Sequence, residues 1–157
     1  MHNYILFIFT EKTDLKIDTS SLCPDDIGMY GIADCIGEEL PFPERLAGIT
    51  VGQDGKIVFT KQDIELFFKW RFDHLKAKCS ELTLQDFCST NLFEIRYSIE
   101  ERFEAYVVPI TDPLNENYYA ETLDSFLRET YKDFDEYEQQ TFYIVSAFFF
   151  SKALKRR

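Results

Sequence analysis

The residues of this chain that could carry chemistry are few. It has four cysteines and two histidines, which are Cys23, Cys35, Cys79, Cys88, His2 and His74. Zinc sites usually show ligands in close pairs, and no two of these cysteines are separated by only two residues. We therefore predict no metal site and interpret the cysteines as small buried thiols in a reducing compartment.

Nucleophilic catalysis by a thiol would need a histidine beside it. His74 and Cys79 are five residues apart on a predicted helix, so their side chains diverge by about 140°. A pairing of His74 with one of the other cysteines in the folded chain stays open. The chain lacks the serine-hydrolase elbow, the phosphate-binding loop, the dinucleotide fingerprint and the His-Glu-x-x-His motif. The sequence therefore predicts no catalytic residue and no cofactor.

Acidic residues dominate the charge and are unevenly placed. There are 28 acids against 17 bases, a net charge of -11. Residues 18–44 hold seven acids and no base, and residues 112–138 hold nine acids and two bases. This balance disfavours nucleic-acid phosphates and favours a cationic protein partner. If the two segments lie together they form one negative face; otherwise the acids keep the chain soluble.

Tyrosines are interleaved with acids near the end of the second acidic segment. Tyrosine beside carboxylates is typical of an interface for a cationic surface, although tyrosines on half-buried helix rims give the same pattern. The candidate partner-binding residues are Tyr131, Asp133, Asp135, Glu136, Tyr137 and Glu138.

Apolar alternation predicts the strands that would support such a site. They are expected at 3–10, 49–51, 56–60, 92–99 and 103–109. Asp54 and Gly55 predict a tight turn that joins 49–51 to 56–60 as a hairpin. A second hairpin is expected to turn near Glu100 and Glu101.

Helices are predicted at 61–79, 117–132 and 136–155, with a short one after Pro24 that ends at Gly37. The first of these helices is predicted to begin with a capping box formed by Thr60 and Asp63. Its polar residues occupy only a narrow sector of the helical wheel, so we expect the rest of the helix surface to be packed, with Trp70 in the core. Residues 142–150 are apolar all round but too short to span a bilayer. They are expected to form a central helix or a partner surface.

These elements predict a single α+β domain over residues 1–157, an antiparallel sheet packed on one face by three to four helices. No apolar run approaches the length of a membrane span, and the residues from Met1 to Tyr4 lack the basic region of a signal peptide. We therefore expect a soluble cytoplasmic protein with no membrane partner.

The charge and the missing catalytic motifs favour an acidic inhibitor. Such an immunity protein would neutralise a basic protein such as a toxin nuclease, without contacting nucleic acid itself. One alternative is an assembly subunit that forms a homodimer or hetero-complex through Phe148, Phe149 and Phe150 on the last helix. Two others are a decoy that mimics nucleic acid and an uncharacterised enzyme using acid pairs such as Glu38 and Glu39.

Overall fold

A six-stranded sheet forms the centre of the computed structural model. The structure describes residues 4–18, 20, 22–29, 33, 35–92, 94–95, 105–114 and 117–151. The sheet strands are β1 (Tyr4–Phe9), β2 (Cys35–Leu40), β5 (Lys56–Thr60), β6 (Ala105–Pro109), β7 (Glu121–Thr122) and β8 (Gln139–Ser151). A separate two-stranded hairpin comprises β3 (Arg45–Leu46) and β4 (Ile49–Thr50).

The long strand β8 organises the sheet. One edge of β8 pairs antiparallel with β1, and the other edge pairs first with β5 and then with β2. On the far side β1 pairs with β6, the one parallel pair among the described strands, and β6 pairs antiparallel with β7. The sheet is therefore mostly antiparallel.

Both faces of the sheet are buried. Alternate residues of β1 point to opposite faces, so Leu6 and Ile8 belong to one apolar cluster whereas Ile5 and Phe7 belong to another. Helix α1 (Lys61–Glu81) and helix α3 (Leu123–Lys132) cover the first face. The second face is covered by apolar side chains from two parts of the chain, one of which includes a 3₁₀ turn at Pro24–Ile27. They are Leu15, Ile17, Leu22, Ile27, Met29, Ala33, Tyr118 and Ala120.

Three sequence predictions are confirmed. The strand expected at 3–10 is β1, and the one expected at 56–60 is β5. The helix expected at 61–79 is α1, and it begins with the predicted capping box. The hydroxyl of Thr60 accepts from the Asp63 amide at 3.2 Å, and the Asp63 carboxylate accepts from the Thr60 amide at 2.8 Å.

The prediction of a helix at 136–155 is wrong. Residues 139–151 form β8, with Ile144 on one face of the sheet and Phe148 and Phe150 on the other. A strand buried on both faces is apolar at successive positions, so its periodicity does not distinguish it from a buried helix. The alternative assembly surface at Phe148 and Phe150 is therefore part of the core.

The hairpin predicted across residues 92–109 is also wrong at its described residues. Residues 92, 94 and 95 are helical, and the Asn91 side chain accepts a hydrogen bond from the Glu94 amide at 2.9 Å. That contact begins a helix in the manner of a capping residue. Residues 105–109 do form β6, but its partners are β1 and β7. The expected turn at 100–101 lies outside the described residues.

The two strands of the first predicted hairpin, 49–51 and 56–60, do not pair with each other. The turn at Asp54 and Gly55 is present, and the Gly55 amide donates to the Gly52 carbonyl at 2.9 Å. However, β4 pairs with β3 and β5 pairs with β8. The predicted turn is therefore present, but the strands on its two sides do not form a hairpin with each other.

The two remaining helix predictions hold only in part. Helix α3 begins at Leu123, because Thr122 is its N-cap and accepts from the Ser125 amide at 3.2 Å. Before it, residues 117–120 have no regular secondary structure and residues 121–122 form β7. The helix expected after Pro24 is a four-residue 3₁₀ turn that ends at Gly28, whose φ is 73°, and residues 35–40 form β2.

The fold is mixed α/β with a mostly antiparallel sheet. Besides the helical residues 92, 94 and 95, the described residues contain three α-helices, which are α1, α3 and the short α2 (Leu84–Ser89), which buries no side chain. The expectation that three to four helices pack on one face of the sheet is not confirmed, because only α1 and α3 contribute to the cluster on that face.

Candidate functional site

The predicted partner-binding residues follow α3. A 3₁₀ turn at Asp133–Asp135 leads from the helix to β8, and its middle residue Phe134 is buried in the core. Because Phe134 points inward, Asp133 and Asp135 are both exposed. Glu136, Tyr137 and Glu138 are exposed as well. We call Asp133, Asp135, Glu136, Tyr137 and Glu138 the acidic turn.

Tyr131 has a different place from the rest of the predicted set. It is half-buried against α1, and its hydroxyl donates to Oε1 of Glu65 at 2.8 Å. Its ring meets the Phe68 ring edge-on with centroids 6.4 Å apart, and Lys61 Nζ lies 5.2 Å from its centroid. The hydrogen bond to the Glu65 carboxylate raises the pKa of Tyr131. Tyr131 therefore belongs to the contact between α3 and α1 rather than to the acidic turn.

One carboxylate of the acidic turn has a cationic neighbour. Lys61 Nζ lies 3.8 Å from Asp135 Oδ1, which ties the turn to the start of α1. The nearby Lys132 is paired with Glu129 at 2.7 Å. In the part of the chain that the structure describes, Asp133, Glu136 and Glu138 form no ion pair. All three carboxylates are exposed.

The two acidic segments are in contact, but neither is confined to one face of the sheet. Ile27 and Met29 of the first segment pack with Tyr118 and Ala120 of the second, and the Ala120 amide donates to the Ile27 carbonyl at 2.8 Å. The acidic turn follows α3 and Phe134, which pack on the other face. Some acids of the first segment also have local roles. Hydrogen bonds from the Ser20 hydroxyl and amide lower the pKa of Asp18, and the Cys23 amide and side chain lower that of Asp26.

The cysteine prediction is wrong: all four thiols are exposed. Cys79 lies in the last turn of α1 and Cys88 lies on α2, and none of the side chains described in these two stretches is buried. No group of three or more histidine, cysteine or acidic side chains within the described ranges is arranged to hold a metal ion.

An apolar groove lies between α1 and the β3–β4 hairpin, and sequence reasoning missed it. The hairpin turn has positive φ at Ala47 (52°) and Gly48 (82°), as a two-residue type I′ turn requires. The groove has a volume of about 420 Å³. It is lined by Ala47, Gly48, Ile49, Asp63, Leu66, Phe67 and Trp70.

Trp70 was expected in the core, yet 48% of it is exposed, and 57% of Leu66 is exposed. Ile64 and Phe67 point to the sheet, and on a helix of 3.6 residues per turn Leu66 and Trp70 then fall on the flank beside the hairpin. Their flanking position on the helical wheel was the available signal. The abundance of apolar residues on α1 had suggested burial on nearly every side.

Further apolar side chains are exposed along α1, α2 and the chain around them. They are Phe72, Leu82, Leu84, Phe87 and Leu92. Exposed apolar side chains mark a site of contact with another molecule where they form a contiguous patch.

No helix of the described residues is long and apolar enough to cross a membrane. Comparison with protein-family models, with curated proteins and with solved structures found no match to this chain.

Proposed function

We propose that this chain is an acidic partner-binding protein that acts as an inhibitor of a basic protein, in the manner of an immunity protein that neutralises a toxin such as a nuclease. The observation that carries the proposal is the acidic turn, which presents Asp133, Glu136 and Glu138 beside the exposed ring of Tyr137. The carboxylates would attract a cationic surface at long range, and the tyrosine ring would pack against that surface once the two proteins are in contact.

The support beneath the turn favours recognition. Phe134 is buried, Asp135 is paired with Lys61, and Tyr131 is bonded to Glu65. A partner therefore meets carboxylates whose backbone is already ordered, and binding costs less conformational entropy than it would on a mobile tail. The proposed interface rests on the acidic turn alone.

A tagged form of the chain, incubated with lysate from its own source at low and at high salt, tests the proposal. We expect one basic protein to bind in stoichiometric amount at low salt and to be released by high salt. An acidic-turn variant carrying Asp133→Lys, Glu136→Lys and Glu138→Lys is expected to lose that protein.

The control variant carries Asp25→Lys, Glu38→Lys and Glu44→Lys, which makes the same change in net charge at three exposed acids of the first segment. It is expected to retain the partner. Equal loss with both variants would contradict a specific role of the acidic turn, and a partner that resists salt would contradict the electrostatic mechanism.

The assembly alternative has a specific observation in its favour, although at a different place from the one expected. The exposed apolar side chains are on α1, α2 and their flanks, including Phe72, Leu84 and Phe87. Sedimentation velocity of the purified chain separates the two proposals. A stable dimer that dissociates when Leu84 and Phe87 are changed to serine would favour the assembly subunit, and a monomer would favour the inhibitor.

A further inference from the structure

We propose that the groove between α1 and the β3–β4 hairpin binds a lysine or arginine side chain of the partner protein. This inference rests on the proposed function, because it assigns a second contact to the same basic partner. The groove combines apolar side chains, one carboxylate and one indole. A long cationic side chain can contact all three, because its methylene stem is apolar and its end is charged.

The carboxylate is that of Asp63. Its Oδ2 accepts both the amide and the hydroxyl of Thr60 at 2.8 Å. Within the described residues its Oδ1 accepts no hydrogen bond, and Asp63 is the only ionisable side chain in the groove lining. Because Thr60 fixes the carboxylate, Oδ1 is positioned in advance to receive a charged donor.

The apolar surface comes from Leu66, Ile49 and Trp70. Trp70 follows Asp63 by seven residues, so the two lie on the same side of α1 about 10 Å apart along its axis. Side chains on a helix lean toward its N-terminus, which brings the indole back toward Leu66 and Asp63. A lysine or arginine can lay its methylene stem across Leu66 and the indole while its charged end reaches Asp63.

Charge complementarity favours a cation over an apolar side chain as the occupant. The chain has a net charge of -11, and an apolar side chain seated here would leave Asp63 partly covered without a counter-charge. Arg45, a base on the adjoining hairpin, donates a hydrogen bond from its guanidinium to the Gly48 carbonyl. A tryptophan face is also the best aromatic surface for a cation.

Intrinsic fluorescence gives a direct test, because Trp70 is the only tryptophan of the chain. The probe is a nona-arginine peptide titrated into the full chain at low salt, with a glycine-serine peptide of equal length as its control. We expect a saturable change in Trp70 emission with nona-arginine and no change with the neutral peptide.

Variants measured by anisotropy of labelled nona-arginine locate the contact. Asp63→Asn keeps an oxygen that can cap Thr60 and removes the charge, and we expect it and Leu66→Ala each to weaken binding by about fivefold or more. Phe72→Ala is the matched control, since it removes an exposed aromatic from the other flank of α1. It should change binding by less than about twofold.

The outcomes separate this inference from the proposed function. Binding of nona-arginine without a change in Trp70 emission, and with full affinity in Asp63→Asn, would overturn the groove as a cation site while the acidic turn could still account for binding. If nona-arginine fails to bind at all at low salt, both the groove and the proposed function are overturned.

Discussion

The phenolic hydroxyl of Tyr131 donates a hydrogen bond to Oε1 of Glu65 at 2.8 Å, across 66 residues of sequence. The bond joins the last turn of α3 to the second turn of α1 at the base of the acidic turn. Lys61 reinforces the same junction, because it contacts both the Tyr131 ring and the Asp135 carboxylate. The position of the acidic turn thus depends on how α1 and α3 pack.

Removing the Tyr131 hydroxyl should weaken this junction at neutral pH. Because the pKa of Tyr131 is raised above its ordinary value of 10.0, the folded chain keeps its proton where the unfolded chain has lost it. The stabilisation is therefore complete below pH 10 and is lost as pH rises through the folded pKa. The free energies of unfolding of wild type and Tyr131→Phe, measured by urea titration, should differ at neutral pH and become equal in strong alkali. A difference that grows with pH would contradict this account.

The ion pair between Arg71 and Asp124 is the most buried one described, with 13% and 25% of the two side chains exposed and a distance of 3.1 Å. Asp124→Ala would leave the guanidinium partly covered without this counter-charge, so we expect a loss of about 2 kcal/mol in the free energy of unfolding. The comparison is Asp73→Ala, which breaks the exposed pair with Lys69 and should cost less than about 0.5 kcal/mol. Equal costs in urea titrations would contradict the structural role of the Arg71 pair.

Gly55 occupies a position that other residues cannot take. Its φ is 79°, and a Cβ added to it would lie 2.5 Å from the Ile144 carbonyl oxygen, where β5 meets β8. Gly48 has a similar φ of 82° with no atom within 4 Å of such a Cβ. Gly48→Ala should lower the free energy of unfolding by about 1 kcal/mol, through the unfavourable backbone conformation alone. Gly55→Ala should lower it by about 3 kcal/mol or more, and thermal unfolding of both variants measures the difference. Similar losses at both positions would exclude the clash with β8.

Substitution of Phe148 tests whether β8 is a strand of the core or an interface with another molecule. It is buried against Phe7, with ring centroids 5.8 Å apart at 88°. Phe148→Ala should lower the free energy of unfolding by about 3–5 kcal/mol, because it leaves a cavity in the sheet core. Denaturant titration measures this loss, and a variant as stable as wild type that only changes oligomeric state would contradict the place of β8 in the core.

The elements with local signals were predictable from the sequence. Thr60 and Asp63 begin α1 through their own side chains, and Asp54 with Gly55 makes its turn whichever strands flank it. Strand β8 was not predictable, since a segment buried on both faces lacks the alternation that marks a strand. Its partners come from three distant parts of the chain, and hydrophobic pattern alone cannot choose among them.

The candidate site was predictable to a similar extent. The exposure of the acidic turn follows from its composition, with Phe134 as the single residue suited to burial. That Tyr131 packs against α1 depends on the position of Glu65 and Lys61 in the folded chain, so sequence spacing could not reveal it. The groove at Trp70 likewise needs the β3–β4 hairpin beside α1, and no local pattern predicts that approach.

The central claim is that the acidic turn attracts a basic partner, and the association rate measures it most directly. Stopped-flow or surface-based kinetics with the captured partner would compare wild type, the acidic-turn variant and the control variant over a range of ionic strength. We expect the acidic-turn variant to associate about tenfold or more slowly at low salt, with the difference shrinking as salt rises. The control variant should associate at close to the wild-type rate. Unchanged association of the acidic-turn variant, with its thermal midpoint preserved, would contradict the claim.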